Sequence, residues 1–304
     1  MKFFTNEQIA AQLDVRTASS AIREAYLDFA RGTAAMQPRA RTGIADVKFS
    51  AMSAMLGRAG IAASKIYTTI DGQFRFYIAL LSLEDGALKA LMEGDAITAT
   101  RTAATTVLAA QYLARTTSSS LGLFGSGIQA RAHVDAFVEQ CDVREVLIHS
   151  RDENSARHLA ARLKQEFAVD ARLVDAQAAA SADMVVLATR SSEPVLRGEW
   201  LRPGAFVASI GATRPDQREL DDTSLRSASR IVVDWTGQAP FETGDLVLAP
   251  EGLLESMPPV DLSSVIAAGE TRAARAEDIV IYKAVGVALQ DAAVAHLAYT
   301  RLLS

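Results

Sequence analysis

Residues 121–133, LGLFGSGIQARAH, constrain the fold of this chain more than any other stretch. Leu121, Leu123 and Phe124 form a short apolar run of the kind that builds a buried parallel strand. The run breaks at Gly125-Ser126-Gly127. A helical pattern follows, with Ile128, Ala132, Ala136 and Val138 at its apolar positions. Gly125, Gly127 and Ala130 spell G-x-G-x-x-A. In that pattern the first glycine permits a tight turn, the second lets a pyrophosphate approach the backbone, and the small third residue lets helix and strand pack closely. The phosphates would sit at the positive N-terminus of the helix. Three small residues alone are a weak signal, because glycine-rich turns are common. Here they lie between a strand and a helix, and a second strand, Glu145–His149, follows, so the stretch reads as a dinucleotide-binding βαβ unit.

The end of that second strand bears on which dinucleotide. An acidic residue there accepts from a ribose 2′-hydroxyl, whereas an arginine suits a 2′-phosphate. The chain reads Ser150-Arg151-Asp152. Ser150 can donate a hydrogen bond, and Arg151 can pair with or stack over an adenosine 2′-phosphate. Asp152 stands one or two places late and is positioned to cap the next helix. NADP(H) is therefore favoured, with NAD(H) possible.

The 304 residues are enough for two domains with their own cores, and almost half are apolar, as in a globular protein. A net charge of −5 argues against a nucleic-acid surface. Cys141 is the only cysteine, which leaves no disulfide framework and no cysteine metal cluster. The N-terminal residues lack the apolar core of a signal peptide, and no apolar run reaches the ~20 residues that span a bilayer. The expectation is a cytoplasmic protein with no membrane and no metal partner.

Before residue 120 the pattern is a sheet with helices beside it. Thr5 or Asn6 can cap a first helix, and residues 17–31 form a second that buries Ile22, Tyr26 and Phe29. Residues 47–55, 62–70 and 74–83 have β character, and Asp71-Gly72 marks a hairpin between the last two. Residues 94–115 form an alanine-dense helix, and the polar residues 116–120 mark a domain boundary. Strands and helices then alternate, with strands at 171–174, 184–188, 205–210 and 230–234. Thr189 begins a polar loop at a strand end, where α/β sheets place ligands. Residues 270–278 are charged, and Arg272, Arg275 and Asp278 are expected on a solvated face. Residues 280–303 read as one final helix that returns to the first part. The domains are therefore 1–116, 117–278 and a C-terminal helix over 279–304.

The chain has no H-E-x-x-H, G-x-S-x-G or P-loop. His133, His149, His158 and His296 are scattered and read as ordinary packing or surface residues. That leaves basic residues in unusual settings. Arg101 sits among Thr98, Thr100 and Thr102 on the alanine-rich helix, Lys65 lies inside a strand, and Arg39 and Arg41 flank a proline turn. Each alone reads as a solvated charge. Together they are the set an anionic substrate needs, because an Arg fork and a nearby ammonium hold a carboxylate well.

The segment GDAITATRTAATTVLAAQYLAR followed directly by LGLFGSGIQARAH resembles the signature of the ornithine cyclodeaminase/mu-crystallin family. IGATRPDQREL (residues 210–220) and VIYKAVGVALQDAA (residues 280–293) resemble two further blocks of that family, and residues before about 60 match more loosely. The resemblance implies an α/β fold in which a Rossmann-type NAD(P)-binding domain joins an α+β substrate and dimerisation domain completed by the C-terminal helix. It also implies a homodimer acting on small α-imino or α-amino acids. By position, Lys65 corresponds to the active-site lysine and Arg101 to the arginine that grips the substrate carboxylate. The second arginine is Arg39 or Arg41, with Arg41 slightly favoured by the threonine after it. Met52 falls where the family has a Met-Pro-Ala turn, and Thr213 where cyclodeaminases proper carry an aspartate that takes a proton from the substrate amine. The implied cofactor set is Thr102, Gly125, Ser126, Gly127, Ile128, Gln129, Ser150, Arg151, Thr189, Arg190, Ile210, Gly211 and Val285.

Lys65 beside two arginines is expected to have a depressed pKa and to work in acid–base chemistry. Thr213 cannot serve as a base at neutral pH, and Asp216 is three residues away. The expected activity is an NAD(P)H-dependent reductase of cyclic imino acids of the 1-pyrroline-2-carboxylate or 1-piperideine-2-carboxylate type. The alternatives are an ornithine cyclodeaminase, an alanine-type dehydrogenase, and a non-catalytic binder of NADPH and a small ligand.

Overall fold

The computed structural model describes residues 1–269 and 275–303. The chain forms two compact units, Met1–Thr105 with Gly286–Ser304, and Thr106–Val285. The division falls inside the alanine-rich helix rather than at the polar joint after it.

The first unit is built on strands β1 (Lys2–Phe4), β2 (Ala34–Met36), β3 (Ala40–Ile44), β4 (Val47–Leu56), β5 (Ile61–Ile70), β6 (Gln73–Ser82) and β7 (Leu88–Glu93). They form one sheet in the order β1-β7-β6-β5-β4-β2, with β3 also paired to β4. Only the β1–β7 pair is parallel. Asp71 and Gly72 both take positive φ, 50° and 71°, as the two-residue turn between β5 and β6 demands. Helix α1 (Asn6–Ala10) starts from a capping box on Thr5, helix α2 (Val15–Ala30) from Asp14, and helix α3 is Asp95–Leu113. The C-terminal helix, Ala288–Arg301, packs on α2 and across β4, β5 and β6. It covers one face of the sheet. On the other face Ile44, Val47, Phe49, Met55, Ile66 and Ile70 are exposed.

The second unit carries β8 (Ser120–Phe124), β9 (Glu145–His149), β10 (Asp170–Leu173), β11 (Met184–Leu187), β12 (Phe206–Ser209), β13 (Ala228–Val233), β14 (Val260–Asp261) and β15 (Ile279–Lys283). All pairings are parallel, in the order β10-β9-β8-β11-β12-β15-β13-β14. Helices α4 (Ile128–Gln140) and α5 (Glu153–Phe167) follow β8 and β9. The strand order reverses between β8 and β11, the switch point at which doubly wound sheets bind ligands. The central strands are buried along their whole length, which is why they read as unbroken apolar runs.

One expected element is corrected. Residues 280–303 are not a single helix: Ile279–Lys283 is a strand between β12 and β13, and the helix begins at Ala288. A run such as IVIYK satisfies either period, and Gly286 at φ +77° breaks the chain between the two elements. Of the charged segment expected to be solvated, Arg275 is exposed and Asp278 half-buried, while Arg272 lies outside the described residues. Among the described residues no helix is long and apolar enough to cross a membrane, and no cluster of His, Cys, Asp and Glu could hold a metal ion.

Candidate active site

In β5 the period of two buries Ile61, Ala63, Lys65 and Tyr67 and turns Ile66 outward. Lys65 therefore points to the covered face, where an ammonium must be paired. Its Nζ donates to Thr98 Oγ1 at 2.7 Å and to Asp291 Oδ1 at 2.9 Å, and lies 4.4 Å from the centre of the Phe76 ring. Asp291 comes from the C-terminal helix. The same Oδ1 lies 3.3 Å from Arg101 Nε, and Arg101 Nη1 donates to Gln290 Oε1 at 3.0 Å. Gln290 is held in turn by its Nε2 donating to Tyr26 Oη at 2.9 Å.

Arg39 Nη2 donates to the carbonyl of Gly286 at 2.7 Å. A Cβ on Gly286 would stand 2.5 Å from Arg101 Nη1, so glycine there lets the backbone lie against the guanidinium. Arg39 thus joins Arg101 and Lys65. Arg41, which the sequence favoured slightly, lies on β3, whose residues are all exposed. Met52 is inside β4, directly opposite Lys65, and makes no turn. Thr102 is half-buried on α3, with its hydroxyl donated to the Thr98 carbonyl at 2.6 Å.

Burial pulls the Lys65 pKa down to about 8. Asp291 opposes that shift, and the charges of Arg101 and Arg39 add to it. The depression inferred from two arginines is present, but desolvation is its larger cause. Lys65, Arg101 and Arg39 face the one carboxylate of Asp291, so the cluster carries a net positive charge that suits an anion. Asp291 Oδ2 is buried and meets no hydrogen-bond donor among the described residues.

In the second unit Gly125 takes φ +107°, and a Cβ there would stand 2.7 Å from the Ala188 carbonyl. Ala130 is fully buried, as the third position of the motif requires. Gly127 is the N-cap of α4, makes no side-chain cap, and a Cβ on it would meet no atom within 4 Å. The first turn of α4 therefore offers its amides to a ligand and not to the protein. Gln129 Oε1 is buried without a partner among the described residues. These features fit a dinucleotide phosphate. The Ser126 and Ser150 hydroxyls are 3.0 Å apart, which ties the glycine loop to the end of β9. Arg151 is exposed there, and Asp152 caps α5 by accepting from Ser155 N at 3.0 Å. Ile128 is exposed.

The loops after β11 and β12 meet through one carboxylate. Thr189 donates its amide and hydroxyl to Glu219 Oε1, and the amide of Gly211 donates to Oε2. Ile210 and Val285 are buried, Thr213 is half-buried and Arg190 is exposed. Asp216 is exposed and paired with Arg214, whose Nε lies 2.9 Å from Asp216 Oδ1.

Asp291, Gln290 and Glu219 were not singled out in the sequence. The available signals were the place of all three in the 210–220 and 280–293 blocks and, for Asp291, a charge within a largely apolar helix, as Lys65 interrupts its strand.

The family model for the ornithine cyclodeaminase/mu-crystallin family matches residues 2–304. The ketimine reductase mu-crystallin of Mus musculus is 34% identical over 222 residues, 73% of this chain and 68% of that protein. A probable ornithine cyclodeaminase from Bordetella pertussis Tohama I has a similar structure, with a TM-score of 0.94 at 41% identity over 99% of this chain and 97% of that one. The Thermococcus litoralis Delta(1)-pyrroline-2-carboxylate reductase, in complex with NADH and L-proline, gives a TM-score of 0.93 at 27% identity over 100% of this chain and 98% of that one.

Proposed function

The chain belongs to the ornithine cyclodeaminase/mu-crystallin family, and from that premise we propose that it is an NADPH-dependent reductase of cyclic α-imino acids. The observation that carries this reading is the buried cluster of Lys65, Arg101 and Arg39 around Asp291. A planar carboxylate on the substrate is the anion such a cluster takes, held by the forks of Arg101 and Arg39. Arg39 is preferred to Arg41 for this role because it is close enough to depress Lys65.

When bound, the reduced nicotinamide supplies a hydride to the imine carbon. The protein fixes the carboxylate, and with it the ring, so the C=N bond is presented in one orientation. The nitrogen must gain a proton as the carbon gains the hydride. Lys65, with its pKa near 8, is a competent donor at neutral pH. A protonated C=N nitrogen is also an N–H donor, and the buried Oδ2 of Asp291 is an acceptor in need of one.

Two features favour reduction over cyclodeamination. Thr213 offers no carboxylate, and Asp216 is committed to Arg214 on an exposed loop. The exposed Ile44, Val47, Phe49, Met55, Ile66 and Ile70 support assembly as a homodimer through that sheet face.

The test is NADPH oxidation with 1-pyrroline-2-carboxylate, run beside NADH and beside ornithine with NAD. Rapid NADPH consumption that yields proline is the expected result. Release of ammonia and proline from ornithine without net change in cofactor would make the protein a cyclodeaminase instead. NADPH binding without turnover would make it a binder. Arg151→Ala is expected to cost about 10- to 100-fold in kcat/KM for NADPH, the worth of one hydrogen bond to a charged group. The same change should leave NADH nearly unaffected, and an equal loss with both cofactors would remove Arg151 from the 2′-phosphate site.

A further inference from the structure

A doubly wound sheet binds the two halves of a dinucleotide on either side of its switch point. The half formed by β8 and β9 holds the glycine loop, Ser150 and Arg151, which leaves the ends of β11 and β12 for the nicotinamide half. Those two ends are joined by the side chain of Glu219, near the end of the 210–220 block. Glu219 is fully buried. Its Oε1 accepts from Thr189 N at 2.7 Å and Thr189 Oγ1 at 2.8 Å. Its Oε2 accepts from Gly211 N at 2.8 Å, Ala212 N at 3.2 Å and Ser209 Oγ at 2.9 Å.

The loops could not approach each other this closely with a side chain at position 211. A Cβ on Gly211 would lie 1.9 Å from the Thr189 carbonyl and 2.5 Å from Glu219 Oε1. Glu219 is itself held from behind. Asp245 Oδ1 accepts from the backbone amides of Glu219 and Leu220 at 2.8 and 2.9 Å. Lys283, on β15, donates to Ser209 Oγ at 2.9 Å and pairs with Asp245 Oδ2 at 3.0 Å. The Ser209 hydroxyl lies within hydrogen-bond distance of both carboxylates but has one proton. With Lys283 satisfying Asp245, that proton is available to Glu219. Burial, with the charge of Asp245, pushes the Glu219 pKa up, against the pull of Lys283 and of the Thr189 amide and hydroxyl. Three backbone N–H groups that can only donate fix the carboxylate as an acceptor.

We propose that Glu219 is the positioning residue of the nicotinamide half-site, clamping the loops after β11 and β12 in the shape that receives the nicotinamide end of the cofactor. This rests on the dinucleotide reading above. Glu219 touches neither substrate nor cofactor in this role and acts through Thr189 and Gly211. Glu219→Gln replaces one acceptor oxygen by an amide donor, which must then face one of the two sets of N–H and O–H donors. One loop is released whichever way the amide turns.

The test compares two ligands on the whole protein: NADPH and 2′-phospho-ADP-ribose, the same molecule without nicotinamide. NADH and ADP-ribose are the corresponding pair if the wild type prefers NADH. Wild-type protein that bound neither member would end the dinucleotide reading itself. With binding established, Glu219→Gln is expected to weaken NADPH at least tenfold while changing the nicotinamide-free ligand less than twofold. Glu219→Asp keeps the charge but reaches only one loop, and Ser209→Ala removes one donor. Both should shift the same ratio by smaller factors, and they carry the test if the glutamine variant does not fold. Equal losses for both ligands, or no loss for either, would overturn the proposal, because a purely structural glutamate has no reason to distinguish them.

Discussion

Arg101→Ala is expected to lower kcat/KM for a cyclic imino acid by about 10²- to 10³-fold, with the enzyme still binding NADPH. The magnitude follows from breaking a buried ion pair, about 3–5 kcal/mol. Part of it is the substrate carboxylate that loses its fork, and part is Asp291, which keeps only Lys65 as its cation. Arg101→Lys should not rescue the enzyme, because an ammonium restores the charge but not the bidentate geometry. Lys65→Met removes the proton donor and keeps the length of the side chain, with an expected loss of about 10²- to 10⁴-fold.

The wild-type pH profile separates the two roles. Burial holds the Lys65 pKa down at about 8, and on the proposed mechanism its proton is the one transferred, so kcat/KM should fall as pH rises through about 8. A bound carboxylate favours the charged ammonium, so the corresponding limb of kcat should lie at higher pH. Arg101→Ala removes a neighbouring cation and should move the kcat/KM limb upward as well as lowering the plateau. Steady-state rates from pH 6 to 10 decide this. A Lys65→Met enzyme that retained wild-type activity, with the same limb, would remove the lysine from the chemistry.

Gly127→Val should abolish dinucleotide binding and leave the fold intact. Apart from its chain neighbours, no protein atom lies within 4 Å of the position a Cβ would take, so no steric contact requires glycine there. The residue opens α4 at φ −75°, a conformation any residue adopts. What needs the space is the pyrophosphate approaching the amides of the first turn. The expected result is a Tm lowered only by the modest cost of valine at an N-cap, with at least roughly 100-fold weaker NADPH, about 2.7 kcal/mol. Gly125→Val differs, because φ +107° and the Ala188 carbonyl penalise any side chain whether or not ligand is present. That variant should lose Tm and affinity together. Unchanged NADPH affinity in Gly127→Val would mean that the phosphates bind elsewhere.

Much of this was legible in the order of the residues, because it depends on neighbours in sequence. The strand, glycine turn and helix of residues 120–140, the Asp71-Gly72 hairpin and the capping of α1 and α5 are set by local periodicity and turn chemistry. Lys65 and Arg101 stood out as charges inside apolar patterns, and Arg151 as a cation at a strand end. Tertiary structure decided what those charges meet. Asp291 lies 226 residues from Lys65 in the chain, and Lys283 lies 74 from Ser209. No periodicity extends so far, and the partners of a buried charge are selected by desolvation once the chain has closed around it. The contact of Arg39 with Gly286 and the strand at Ile279–Lys283 have the same origin. A proline turn does not specify where its flanking guanidiniums point, and an apolar pentapeptide becomes a strand because β12 and β13 leave a place between them.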